Sequence, residues 1–266
     1  MDGEKLAAKI KTENGRKAAK GGFAEERKIA ERIENWRSDA EARQWLKKMG
    51  ADAESIASVS AERIGGKGGK ADILVSVSFN NGDPPARAGI SVKKVSKKRS
   101  GGNQIDRRSV QKYAQCLNLS PDVTEALSEF VGEFGSRKYM EQIDGSKRDA
   151  VVQFFEDEGN LTRLVEFVAR GSGETAADYI LVSQRYVEGG KECWNARLLS
   201  MDEAFQFLKG DGLVHFPSRK DGTRQGLRIG RMTAQRKGGK PDPTSLQFKI
   251  NPVKMIEWLD ETENSC

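Results

Sequence analysis

The chain has 266 residues, 36% hydrophobic and 32% charged, with enough Ile, Leu, Val and Phe to build a sizeable core unaided. Forty-five Lys and Arg against 39 Asp and Glu leave a net charge of +6, and residues 219–240 alone hold eight Lys/Arg and one acid, Asp221, for +7. A single histidine, His215, excludes a His-ligated zinc protease, a His-based nuclease finger and a two-histidine phosphoesterase.

In chain order, residues 1–20 are polar and Lys-rich and read as a helix or a loose arm. In "GGFAEERKIAERIENW", Ile29, Ile33 and Trp36 fall at i, i+4 and i+7, which predicts an amphipathic helix with Glu26 on the apolar stripe. A second helix runs through 39–49 and stops at Gly50. A glycine-rich loop, "GGKGGK" (65–70), leads into "ADILVSVSF", a strand by its alternation; "NNGDPP" is a turn and "AGISVKKV" the returning antiparallel strand. Residues 104–170 read as helical and acidic. "DYILVSQRYV" and "CWNARLLS" form a hairpin around "EGGKE", and Ser200 with Glu203 make a capping box for the helix that follows. Basic, turn-rich strands over 213–234 and a short strand "SLQFKI" precede a last helix capped by Asn251 and Pro252. The class is α/β, a mixed central sheet flanked by helices. No clean linker is visible, so 1–266 is expected to be one domain, with its core at about 21–120.

Cys116, Cys193 and Cys266 have no metal-type spacing and fit the free thiols of a cytoplasm, with no secretory or membrane-spanning segment in view. "GGKGGKAD" fails as a phosphate loop because its spacing is one short and Ala71 stands where Ser or Thr is needed. No G-x-S-x-G elbow exists. Hydrolytic chemistry here must therefore run on carboxylates, lysine and a hard metal ion.

One cluster offers that set. Asp72 opens the first hairpin strand; Ser91 and Lys93 lie two apart on the second and so project from one face. Pairing around the 80–87 turn brings Asp72 beside both. Asp72, the Val92 carbonyl and Glu26 would hold Mg²⁺, Lys93 would act on the phosphoryl oxygens, and Ser91 would hold a water. Taken singly, an Asp at a strand start is a turn former and a Lys on a strand is an edge residue. Together, and beside the cations of 93–99, they favour a phosphodiester site.

These residues resemble a family. "KADILVSVSF…ISVKKVSKK" is similar to the PD-(D/E)xK nuclease core of the type II restriction endonucleases in its MspI form. "GGFAEERKIAERI" resembles that family's N-terminal helix, with Glu26 at the matching glutamate, and "QGLRIGRMTAQRKGGK…LQFKI" resembles its C-terminal DNA-reading segment. The carboxylate usual before the x-Lys pair is Ser91 here; the MspI form has an amide there. The resemblance implies a restriction-endonuclease-like fold and Mg²⁺-dependent hydrolysis of double-stranded DNA at a short sequence of four base pairs. It also implies a bacterial or archaeal cytoplasm, a cognate DNA methyltransferase as functional counterpart, and a monomer or homodimer.

Base reading falls to the basic strands of about 210–252: Arg228, Arg231, Thr233 and Gln235 alternate near "GRMTAQR", and Gln247 and Lys249 share one face of "LQFKI". Gln104 is a further candidate, while Lys97, Lys98, Arg99, Arg107 and Arg108 are expected to hold phosphates. A structure-specific or repair nuclease of the same core, and a DNA-binding protein without cleavage, are the alternatives.

Overall fold

The computed structural model describes residues 3–65, 69–96, 102–218, 222, 224–236 and 244–264. Its contacts divide the chain into two compact units, Met1–Lys98 with Ser172–Ser200, and Arg99–Gly171 with Met201–Cys266. Each unit is assembled from separated stretches of chain, so no single linker marks the division. Elements are numbered along the chain.

The first unit contains α1 (Gly3–Glu34), α2 (Ala40–Lys48) and five strands: β1 (Ile56–Arg63), β2 (Ile73–Phe79), β3 (Ala86–Val95), β5 (Tyr179–Glu188) and β6 (Lys191–Ser200). The sheet order is β1-β2-β3-β5-β6, antiparallel except for the parallel β3–β5 pair. The predicted stripe is buried: Ile29 and Ile33 of α1, and Trp36 in the turn that follows it, pack with Trp45 and Leu46 of α2 against Ile73, Val75, Val77 and Ile90. Each such side chain, fully buried, contributes about 1.5–3 kcal/mol. β2 alternates as predicted, with Ile73, Val75 and Val77 inward. The 80–85 turn is closed by Asn81, whose Oδ1 accepts from the Asp83 amide at 3.1 Å. β1, which the sequence pattern does not predict, forms the outer strand beside β2.

The second unit holds β4 (Asn103–Arg108), α3 (Val110–Leu117), α4 (Pro121–Val131), α5 (Gly145–Glu156), α6 (Glu158–Val165), α7 (Met201–Lys209), β7 (Val214–His215), β8 (Leu227–Ile229), β9 (Met232–Arg236), β10 (Leu246–Ile250) and α8 (Pro252–Glu263). Its sheet runs β4-β10-β9-β8-β7, antiparallel throughout. One face carries Phe248, Asp106, Ala234 and Leu227, all buried, and the Phe248 ring meets Tyr113 edge-on at 5.4 Å. Asn251 caps α8 as expected, accepting from the Val253 amide at 3.2 Å.

Two expectations are corrected. Residues 103–108 are strand, not helix: this polar segment is held extended by pairing with β10, a partner 140 positions away that local pattern cannot reveal. The C-terminal strands do not extend a central sheet but build a second one with β4. The class stands as expected: mixed α/β with helix-flanked sheets, consistent with a restriction-endonuclease-like fold.

Candidate functional site

The predicted cluster forms in the first unit. The β2–β3 register sets Ile73 opposite Ile90, and the Asp72 amide donates to the Ile90 carbonyl at 2.8 Å. That places Asp72 against the far end of β3. Its Oδ2 accepts from the Val92 amide at 2.7 Å and from Ser91 Oγ at 3.4 Å. Lys93 Nζ donates in turn to Ser91 Oγ at 2.9 Å. Ser91 is buried, whereas Lys93 is only half-buried as a residue. Burial around its ammonium nevertheless lowers the Lys93 pKa, against the pull of Asp72 and Glu26.

Glu26 reaches the same place from α1. Burial raises its pKa; the hydrogen bond from Arg63 opposes this, and the charge of Asp72 adds to the rise. Arg63 Nε donates to Glu26 Oε2 at 2.6 Å, and its guanidinium lies 4.5 Å from the centre of the Phe23 ring. Gly65 sits over both carboxylates. A Cβ there would stand 3.3 Å from Glu26 Oε2 and 3.5 Å from Asp72 Oδ1, so a side chain would crowd the space the two carboxylates face.

The residues present fit a hard divalent cation, because the open space is faced by carboxylate oxygens. In an extended strand the N–H and C=O of one residue leave by the same edge, so the Val92 carbonyl turns toward Asp72 with its amide. Among the described residues no three His, Cys, Asp or Glu side chains converge, so an ion here would take Asp72, Glu26, the carbonyl and waters.

Sequence reasoning missed two contributors. Arg63 was invisible because β1 was unassigned. Glu25, beside Glu26, is also missed, yet it is 1% exposed and turns toward β5 rather than toward Asp72. It accepts from Ser183 Oγ at 2.6 Å and Arg185 Nε at 3.1 Å, with Lys94 Nζ at 3.8 Å. Lys94 also donates to the Gly21 carbonyl at 3.2 Å. These bonds tie α1 to β3 and β5 and so fix Glu26 over Asp72. Two adjacent glutamates on a helix point about 100° apart, so the two buried carboxylates serve different partners.

The second unit gathers the remaining candidates on the outer face of its sheet. Cross-strand pairs share a face. The pairs Arg228–Thr233, Thr233–Lys249, Gln235–Gln247, Gln247–Arg107 and Lys249–Gln104 therefore place all seven residues together, opposite the buried face. A cavity of about 730 Å³ opens beside them, with Arg228, Thr233, Gln235 and Lys249 in its lining.

Two of the nominated arginines are placed differently. Arg231 is not on a strand: it follows Gly230 in the tight β8–β9 turn, where its guanidinium lies 4.7 Å from the centre of the Phe207 ring. Gly230 takes φ 52°, and a Cβ there would stand 2.3 Å from the Lys209 carbonyl oxygen. Arg108 pairs with the buried Asp106 at 3.3 Å and lies 5.0 Å from the centre of the Phe167 ring, so its charge is already engaged. Tyr113 donates to the same carboxylate at 2.5 Å. Burial, with the Asp106 charge beside it, pushes the Tyr113 phenol well up and keeps it a donor. Lys97, Lys98 and Arg99 lie outside the described residues.

The model of the R.HinP1I restriction endonuclease family matches residues 49–256. The match includes Asp72, Ser91, Val92, Lys93 and every residue of the second-unit face; Glu26 precedes it. A comparison with curated proteins gives no match.

Proposed function

The chain belongs to the R.HinP1I restriction endonuclease family, and from that premise and the geometry above we propose that it is a type II enzyme that hydrolyses both strands of duplex DNA at a fixed sequence of four base pairs, using Mg²⁺. The observation that carries the reading is the hydrogen-bonded series Asp72–Ser91–Lys93, with Glu26 facing the same open space. Asp72, Glu26 and the Val92 carbonyl would hold Mg²⁺, which when bound offsets charge on the phosphate and makes water a better nucleophile. Lys93 places its ammonium against the phosphoryl oxygens as negative charge develops there. Ser91 orients Lys93 through the 2.9 Å bond, so a residue that departs from the usual acid keeps a part in the site. The Val92 amide holds Asp72 in place.

The likeness to the MspI form of the PD-(D/E)xK core belongs to this reading, carried by the spacing of Asp72, Ser91 and Lys93. So do a DNA methyltransferase as functional counterpart and a cytoplasmic setting. No helix of the described residues is long and apolar enough to cross a membrane. The single-domain expectation is retained as a functional unit, with cleavage assigned to the Asp72 cluster and base reading to the outer face of β4, β8, β9 and β10. Arg107, Arg228 and Lys249 supply the cations of that face; the mixture of amides and cations favours sequence reading over shape reading.

Digestion of unmethylated phage DNA with the protein and Mg²⁺ tests this. Discrete fragments ending at one short sequence are expected. Cleavage only at branched or damaged DNA would assign the same core to repair, and binding without cleavage in Mg²⁺ would remove the catalytic reading.

A further inference from the structure

On the outer face of the second-unit sheet, three glutamines from three neighbouring strands bond side chain to side chain. Gln247 Nε2 donates to Gln104 Oε1 at 2.5 Å, and Gln247 Oε1 accepts from Gln235 Nε2 at 3.1 Å. Gln235 stands directly opposite Gln247. Gln104 does not, and reaches it because the β4–β10 register shifts between Phe248 and Lys249, which leaves Ile105 as the extra residue. Ile105 and Asp106 are both buried, and Gln104 and Arg107 both face outward. Gln247, at the centre, is only 9% exposed; Gln104 is exposed.

We propose that Gln104, Gln247 and Gln235 form one directional row that reads two base positions of the duplex with opposite polarity, Gln247 acting as the positioning residue. The inference rests on the reading of this face as the DNA-reading surface. An amide offers a carbonyl that accepts and an amino group that donates. With Gln247 bonded on both sides, the amino group of Gln104 and the carbonyl of Gln235 are left for a partner. Turning over one amide alone would set oxygen against oxygen, or N–H against N–H, so the row reverses only as a whole. In either sense its two ends carry opposite functions. The donating end suits the O6 and N7 of guanine or the O4 of thymine, and the accepting end suits the N4 amino group of cytosine or the N6 of adenine. No charge lies within the row, and that serves discrimination, because a cation would meet any acceptor and any phosphate.

The test uses the full-length protein, phage DNA and sequencing of the cut ends. Wild type is compared with Gln247→Met, which keeps the volume, and Gln247→Glu, which accepts on both sides. Thermal unfolding first confirms that each variant is folded. Gln247→Met is expected to relax the preference at two base positions by about tenfold each, while Gln104→Ala and Gln235→Ala each relax one of those two. Gln247→Glu obliges one end to turn its amino group inward and present its carbonyl, so the preferred base changes at one position and holds at the other. An unchanged site, or an equal fall at all sites, in folded Gln247→Met would overturn the row and leave the nuclease reading intact. A wild-type protein that cuts at no fixed sequence would overturn both.

Discussion

The Asp72 cluster and the glutamine face satisfy their polar groups in contrasting ways. Around Asp72 each charge is engaged within the protein: Glu26 by Arg63, Asp72 by the Val92 amide, Lys93 by Ser91. On the outer sheet the middle is neutral amides bonded to one another, and Arg107 and Arg228 stand exposed around them. Charge explains the difference, since Glu26 and Gln247 are almost equally buried. A charge in low dielectric is strong and costly, so such charges are few and locked in place, suited to one reacting phosphate. Neutral amides carry no such cost, and a bonded row of them offers a donor at one end and an acceptor at the other, which suits the comparison of base edges. The first arrangement concentrates its effect in single residues; the second spreads it.

The largest effects are therefore expected at Lys93 and Asp72. Lys93→Ala should lower single-turnover cleavage by about 100-fold or more, with DNA binding in Ca²⁺ close to that of wild type. A variant that cuts at the wild-type rate would take Lys93 out of the chemistry. Asp72→Asn sharpens the point, because the amide oxygen still accepts from Val92 while the charge is gone. Its Mg²⁺ affinity, read by calorimetry, should fall together with cleavage. Full metal affinity in Asp72→Asn would place the ion elsewhere.

Legibility in the sequence divides along the same line. The β2–β3 hairpin could be read because its alternation, its turn residues and the spacing from Asp72 to Ser91 are all local. Glu26 followed from the period of one helix. β4 could not be read, since a polar strand is defined by a partner distant in sequence, and β1, although it pairs with the adjacent β2, is an Ala- and Ser-containing run without clean alternation. Their absence hid Arg63 and made 103–108 look helical. The candidates of the outer sheet face can be nominated from sequence only as residue types, and their shared register is visible only in the structure. For that reason Gln104, Gln235 and Gln247 were three separate candidates until their side chains were seen to bond. Arg231 was misplaced for a similar reason: periodicity carried β9 one residue too far, through the glycine turn.

A smaller and graded effect is expected on the sheet face. Arg228 is exposed on β8 opposite Thr233, whereas Arg231 is turned over Phe207. Arg228→Ala should cost about 1–3 kcal/mol on the cognate duplex and little on a scrambled one. Arg231→Ala should weaken both alike and by less. Salt titrations of binding to the two duplexes separate these outcomes. Equal losses on both duplexes for Arg228→Ala would make it a phosphate contact and leave base choice to the glutamines and Thr233.

The smallest effect should fall on a residue that belongs to neither arrangement. Asp39 caps α2, its Oδ1 accepting from the Glu41 and Ala42 amides at 3.0 Å each. It also receives Arg32 Nη2 at 2.7 Å, and the Arg32 guanidinium stacks on Trp194, 3.8 Å from the ring centre. The hydrogen bond from Arg32 holds the Asp39 pKa below the usual aspartate range. A pKa lowered by folding means that the folded state favours the ionised form. The stabilisation is then complete above the unfolded value of about 3.9 and is lost as pH falls through the folded value. Asp39→Ala should therefore cost about 1–2 kcal/mol at pH 7. The difference from wild type should shrink below about pH 4, and cleavage per folded molecule should stay unchanged. Urea unfolding followed by tryptophan fluorescence is the measurement, since Trp36, Trp45 and Trp194 all lie in the first unit. A difference that persists undiminished below pH 4 would show that the cap acts through its shape rather than its charge. A loss of cleavage in the folded variant would tie α2 to the Asp72 cluster and blur the separation between framework and site.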